Sequence, residues 1–150
     1  MSWAGYNYSS TRPARSHHTG IDLKSSSGDQ NVYACASGSV AATGYNSSNG
    51  NYVVLKHLLN NKNVYSFYAH LNSVAVTTGT NISAGTKLGI IGSSGSASGG
   101  VHLHFSIIDT LDTKGGYYGY ASHFTGNKVT YGGTTFYNPS YVITNKILPS

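Results

Sequence analysis

Glutamate is absent from the 150 residues, and the acidic side chains are four aspartates: Asp22, Asp29, Asp109 and Asp112. The absence excludes the metalloproteases that carry an HExxH helix, because their general base is a glutamate. Glycosidases need two facing carboxyl groups, which four scattered aspartates do not favour. The seven histidines are therefore the main supply of groups that titrate near neutral pH.

Cysteine, charge and long apolar runs are also scarce. Cys35 is the single cysteine, so no internal disulfide can form, and its apolar surroundings predict a small buried residue. Charged residues make up 9%, and nine Lys plus Arg against four Asp give a net charge of +5. The lysines are well separated, which argues against a nucleic-acid surface. No apolar run approaches membrane-spanning length, and the N-terminus lacks the pattern of a signal peptide, so we expect a soluble chain without membrane insertion.

The apolar residues follow β patterns throughout the chain. The stretches 31–45, 50–59 and 63–71 are rich in Val, Tyr, Leu and Ala. The segments SSNGN and NNKN between them predict hairpin turns, because Asn and Gly accept positive φ. Residues 77–100 suggest short strands with glycines at the corners, and no window has a sustained 3.6-residue period. We predict one all-β domain over 1–150, an antiparallel barrel or sandwich with long loops and little helix.

Two histidines stand one residue apart in the apolar stretch GGVHLHFSII. In a strand, His102 and His104 point to one face while Leu103 and Phe105 point to the other. Two imidazoles on one face suit a metal site or a catalytic pair. Two separately hydrogen-bonded histidines near a strand end are the alternative.

Two further motifs carry histidine. In HHTGIDL, Gly20 lets the backbone bend so that His18 and Asp22 can converge, and His nitrogen and Asp oxygen are both zinc ligands. His17 has the wrong spacing for this site. In FYAHLNS, His70 ends an aromatic strand, where a hydrogen-bonded histidine at a strand end is the simpler interpretation.

The order of these motifs is specific when they are taken together. HxxxD, YxHL and HxHF follow one another, and the glycine-rich GTKLGIIGSSGSASGG runs into the last of them. With GNYVVLKH, NVYACASGSV and YNPSYVI, the chain resembles the lysostaphin/LytM-type zinc endopeptidases of bacterial cell walls. The resemblance covers residues 15–108 and 137–143, and residues 109–136 form an added aromatic segment.

The resemblance implies a site and a fold. One Zn²⁺ would be held by His18, Asp22 and His104, leaving a fourth position for water. His102 would be the general base, and His70 would hold the water or help to stabilise the oxyanion. The implied fold is an antiparallel sheet core of the duplicated hybrid motif type, with a narrow groove over the zinc.

The implied activity is hydrolysis of a peptide bond in the stem or cross-bridge of peptidoglycan by a secreted or phage-derived, bacteriolytic or wall-remodelling enzyme. The chain is expected to act as a monomer, outside the cell or in the wall. Candidate substrate contacts are Tyr6, Tyr8, Arg12, Tyr117 and Tyr118. The aromatic residues of the added segment either line the groove or pack on the barrel.

Two positions depart from the family pattern, and two other functions stay open. Val101 stands where the family usually has Pro, and Ser106 where it usually has Glu. One alternative is a non-catalytic wall-binding or activator module of the same fold. The other is a sugar-phosphotransfer phosphocarrier, which also carries an HxGxD stretch but needs neither YxHL nor HxHF.

Overall fold

The structure is a computed structural model that describes residues 8–12, 20–25, 28–95, 101–112, 126–131 and 133–149. These residues form eleven strands and one short helix, which confirms the all-β prediction. The elements are β1 (Tyr8–Arg12), β2 (Ile21–Ser25), β3 (Asn31–Tyr33), β4 (Gly38–Asn46), β5 (Gly50–Leu59), β6 (Lys62–Val74), β7 (Asn81–Ile82), β8 (Lys87–Ile91), β9 (Leu103–Ile108), β10 (Lys128–Tyr131), β11 (Thr134–Tyr137) and α1 (Pro139–Asn145). Across the described ranges, no helix has the length and apolar character needed to cross a membrane.

All strand pairs are antiparallel, and β9 lies near the centre of the sheet. The strand order in the sheet is β1-β2-β9-β6-β5-β4-β7. In addition, β11 pairs with β9, and β8 pairs with β6. His104 of β9 lies opposite Asp22 on one side and Ala69 on the other. The sheet therefore brings three distant parts of the sequence into one row.

The hairpin turns are those that the sequence predicts. Asn60 and Asn61 join β5 to β6 with φ of 51° and 63°, and Gly50 follows the β4–β5 turn with φ of 65°. The predicted stretch 31–45 is divided, however, into β3 and β4. The reason is local: Ala34 N–H donates to Thr86 O at 2.8 Å, and Cys35 N–H donates to the Tyr68 hydroxyl at 3.0 Å.

The sheet has a buried cluster on each face. The larger cluster includes Cys35, Tyr68, Leu103 and Phe105, all 0% exposed, and the Tyr68 and Phe105 ring centroids are 5.1 Å apart. The burial of Cys35 confirms the prediction. The smaller cluster includes Phe67, which lies opposite Ser106 on the face that carries His104. A single layer of backbone thus separates the main core from the histidine face.

The end of the chain returns to the sheet. β10 and β11 form a hairpin, and β11 pairs with β9. α1 begins at Pro139, where Asn138 caps it by accepting a hydrogen bond from Ser140 N–H at 3.1 Å. The stretch 113–125 of the added aromatic segment, with Tyr117 and Tyr118, lies outside the described residues.

Candidate metal and catalytic site

Asp22 and His104 face each other across the β2–β9 ladder. Asp22 Oδ1 lies 3.2 Å from His104 Nδ1, and the two side chains are each 12% exposed. Two atoms bound to one tetrahedral zinc at about 2.0–2.1 Å lie about 3.3 Å apart. The separation and the nitrogen and oxygen donors therefore fit two ligands of a single zinc ion.

The proposed third ligand, His18, lies outside the described residues. Among the residues that the structure describes, no group of three or more His, Cys, Asp or Glu forms a metal site by itself. Gly20, between His18 and Asp22 in sequence, is described and buried. The three-ligand set therefore stays a prediction, of which the structure brings two members together.

His102 lies just before β9 and points to the same side as His104. Its N–H donates to Gly92 O at 3.2 Å, in an isolated bridge that fixes the backbone here. His102 Nε2 is 3.6 Å from Asp22 Oδ1, slightly farther than His104 Nδ1 is. Both members of the HxH motif thus lie beside the same carboxylate, as the alternation of a strand requires.

His70 approaches the pair from β6. Its ring centroid is 4.9 Å from that of His102 and 6.2 Å from that of His104. Within a strand it has a φ of 65°, a left-handed backbone that is uncommon for a residue with a side chain. Such a conformation persists only where the surroundings impose it, and it occurs most at functional sites.

Two neighbouring segments impose that conformation on His70. Its backbone N–H donates to Asn49 O at 2.8 Å, in the β4–β5 turn. Its Nδ1 lies 2.8 Å from Ser94 O, which can only accept, so Nδ1 carries the proton. The Ser94 hydroxyl is itself fixed, since it donates to Leu71 O at 2.6 Å and accepts from Asn51 N–H at 3.1 Å.

The hydrogen bond to Ser94 decides what His70 can do. A neutral ring with its proton on Nδ1 has an acceptor at Nε2. Burial lowers the pKa of His70 from 6.5 to about 4, against the opposing effect of the Ser94 hydrogen bond. Near neutral pH, His70 is therefore an acceptor of a proton or of a hydrogen bond.

Sequence reasoning missed Ser94, Asn49 and Ser106. Ser106 Oγ lies 3.0 Å from His104 Nε2, and Ser106 is fully buried. Ser94 belongs to the glycine-rich stretch, in which nothing distinguishes it from its neighbours. Ser106 carried a signal, because it departs from the residue usual in the resembling family.

His57 lies apart from the site, in the main core. It is 2% exposed, and its Nδ1–H donates to Ser37 O at 2.8 Å. Its Nε2 is 2.6 Å from Ser66 Oγ. Burial lowers the pKa of His57 below its ordinary value. These contacts are those of a structural histidine.

Most of the candidate substrate contacts lie outside the described residues. Tyr6 precedes the described residues, while Tyr8 and Arg12 lie on β1. The backbone of Arg12 is the ladder partner of Asp22, so it is placed one strand away from the candidate ligand. The roles of these residues, and of Tyr117 and Tyr118, stay predictions.

Comparison with known proteins gives relatives in sequence and in structure. The chain is 34% identical over 92 residues to the peptidoglycan DD-endopeptidase ShyC of Vibrio cholerae serotype O1, a match that covers 61% of this chain and 20% of that protein. The catalytic domain of the antimicrobial peptidase lysostaphin from Staphylococcus simulans is similar at 27% identity and a TM-score of 0.55, covering 75% of this chain and 85% of that domain. A zinc-containing peptidase from Vibrio cholerae is similar at 25% identity and a TM-score of 0.56, covering 71% of this chain and 36% of that structure.

The family model carries the assignment. The model of peptidase family M23 matches residues 16–119, which include all three histidine motifs. The fold agrees, since the lysostaphin domain shares it over most of its length. The chain belongs to peptidase family M23.

Proposed function

We propose that this chain is a zinc-dependent endopeptidase that hydrolyses a peptide bond in the stem or cross-bridge of bacterial peptidoglycan. The observation that carries the proposal is the Asp22–His104 pair, with Oδ1 and Nδ1 3.2 Å apart and two more imidazoles on the same side. The curated relatives are named peptidoglycan DD-endopeptidases, and the match spans 20% of their length. The substrate class comes from these names and from the family.

The ligand set that we propose is His18, Asp22 and His104. With two neutral imidazoles and one carboxylate as ligands, a bound zinc would keep a positive charge, and it would supply polarisation of a carbonyl oxygen and a lower pKa for water, toward about 7. Asp22 and His104 are held on adjacent strands in the main sheet. Little rearrangement is needed to bring their donor atoms to one ion.

His102 and His70, which are not proposed as zinc ligands, have different roles in proton transfer. The chain has no glutamate, so a general base has to come from another side chain, and His102 is beside the candidate ligands. His102 takes a proton from the attacking water and delivers it to the leaving amine. His70 presents Nε2 as an acceptor, which suits it to orient that water. A neutral His70 does not donate from Nε2, so oxyanion stabilisation by His70 would require its protonated form.

The remaining parts of the proposal concern substrate and place. Tyr6, Tyr8, Arg12, Tyr117 and Tyr118 contact the peptide along a groove over the zinc, where tyrosine offers apolar area and a hydroxyl at little entropic cost. A net charge of +5 suits an anionic wall. The protein acts as a monomer at the cell wall or outside the cell.

Metal analysis combined with digestion of purified peptidoglycan tests the proposal. We expect about one zinc per chain and new amino termini in the digested wall. His18→Ala, Asp22→Ala and His104→Ala should each lose zinc and activity together. Asp29→Ala is the matched control, since the Asp29 carboxylate bonds Tyr33 and Asn31 away from the site.

The outcomes separate the alternatives. A wild-type protein that binds no zinc but binds the wall is a wall-binding module, and one that is phosphorylated on histidine is a phosphocarrier. A ligand variant that keeps full zinc and full activity removes that residue from the set.

A further inference from the structure

Both ring nitrogens of His104 have a polar partner. Nδ1 lies 3.2 Å from Asp22 Oδ1, and Nε2 lies 3.0 Å from Ser106 Oγ. Ser106 stands two residues after His104 on β9, on the same face, and is fully buried. The Ser106 hydroxyl therefore lies on the side of the His104 ring opposite to Asp22.

A neutral imidazole carries one proton, so these two contacts allow two arrangements. In the first, Nδ1–H donates to Asp22, and the Ser106 hydroxyl donates to Nε2. In the second, Nε2–H donates to Ser106 Oγ, and Nδ1 is left with a lone pair. A hydroxyl serves both arrangements because it donates as well as accepts, whereas an ionised carboxylate only accepts.

We propose that Ser106 is a positioning residue that lets His104 exchange tautomers when metal binds. Without metal, His104 holds its proton on Nδ1 against Asp22; with metal, the proton is on Nε2 against Ser106 and Nδ1 is a ligand. The exchange removes one proton at Nδ1 and adds one at Nε2, so the ring stays neutral. The inference rests on the proposed role of Asp22 and His104 as zinc ligands.

The packing around Gly20 keeps the Ser106 hydroxyl in place. A Cβ at Gly20 would lie 2.5 Å from Ser106 Oγ, 2.4 Å from Phe105 O and 3.0 Å from His104 Cε1. The backbone that enters β2 therefore closes directly over the contact between Ser106 and His104. A side chain at position 20 would displace the Ser106 hydroxyl, so its contact with His104 depends on glycine there.

The same strand pair offers a matched control. Ser66 on β6 is 1% exposed, and its Oγ lies 2.6 Å from His57 Nε2. Ser66 is the ladder partner of Ile107, the residue that follows Ser106. Ser66→Ala thus removes a buried serine–histidine hydrogen bond of the same kind from the opposite face, away from the candidate ligands.

NMR of the imidazole nitrogens and zinc competition with a chelator test the proposal. In the wild type we expect the His104 proton on Nδ1 without metal and on Nε2 with zinc. Ser106→Ala should keep the metal-free tautomer and bind zinc about 10–100-fold more weakly, the usual effect of losing the partner of a ligating histidine. Ser66→Ala should lower the melting temperature and leave zinc affinity unchanged.

Two results would overturn the role of Ser106. One is a wild-type His104 that holds its proton on the same nitrogen with and without zinc, a measurement that needs no variant to fold. The other is a folded Ser106→Ala protein with the zinc affinity of the wild type. If Asp22→Ala retains full zinc affinity, the ligand assignment itself fails, which is a different result from a failure of Ser106 alone.

Discussion

Removing the hydroxyl of Tyr68 tests how a buried polar network supports the sheet under the site. Tyr68 is fully buried, and its hydroxyl accepts from Cys35 N–H at 3.0 Å. The same oxygen lies 3.0 Å from Ser66 Oγ, which is 2.6 Å from His57 Nε2. Tyr68→Phe removes one oxygen from this network and keeps the ring against Phe105.

The loss of unfolding free energy can be estimated from the polar groups that lose the Tyr68 hydroxyl as their partner. The ring keeps its apolar contacts, so the cost comes from polar groups alone. A buried backbone N–H that loses its acceptor costs about 1–3 kcal/mol. For a chain of this size, 1 kcal/mol corresponds to about 2–4 °C, so the melting temperature should fall by about 2–12 °C. Against a total stability of about 5–15 kcal/mol, the variant should still fold.

Urea and thermal unfolding at fixed zinc concentration measure the change. Tyr45→Phe is the control, because Tyr45 is 65% exposed and its variant should stay within about 0.5 kcal/mol of the wild type. A Tyr68→Phe protein as stable as Tyr45→Phe would show that the network contributes nothing net, and would refute the reasoning.

His102→Ala should keep its zinc and lose about 100-fold or more in turnover, the scale of a missing general base. Loss of zinc from that variant, measured by metal analysis, would place His102 among the ligands; His70→Ala should behave as His102→Ala does. Burial lowers the pKa of His57 in the folded protein below its ordinary value of 6.5. At a pH below 6.5, the unfolded state therefore binds more protons at this residue than the folded state does. Stability should therefore fall as the pH decreases through this window, by at most about 1.4 kcal/mol per pH unit. Denaturation of His57→Asn at several pH values should show a weaker pH dependence, and an equal one would exclude His57 as its source. A Cβ at Gly50 would lie 2.2 Å from Ser94 Oγ at a φ of 65°. Gly50→Ala should accordingly lower turnover by displacing Ser94 and His70, and unchanged kinetics in the folded variant would contradict that coupling.

Local patterns were enough to predict strands β5, β6 and β9 and the shared face of the HxH motif. Alternation along β9 depends on neighbouring residues alone, so it places His102 and His104 on one side and Phe105 on the other. Asn60 and Asn61 mark their turn for the same reason. The short helix α1 was not predicted, since seven residues are too few to show a helical period.

The meeting of Asp22 with His104 could not be worked out from spacing. They are 82 positions apart, and their contact depends on the alignment of β2 with β9. The resemblance to a known family supplied that pairing. The conformation of His70 is harder still to predict from sequence. It is imposed by Asn49 and Ser94, which belong to segments without a motif of their own.

Strand β9 carries site residues and core residues at alternate positions, and this has a consequence for folding. A slip of β9 by one residue would turn His104 into the core and bring Leu103 or Phe105 to the site. Misaligned chains would therefore lose the partner of Asp22 at the same moment as they lose their packing. If Asp22 and His104 hold the proposed zinc, the ion binds only the correctly aligned sheet, and its presence during refolding should raise the yield of that alignment.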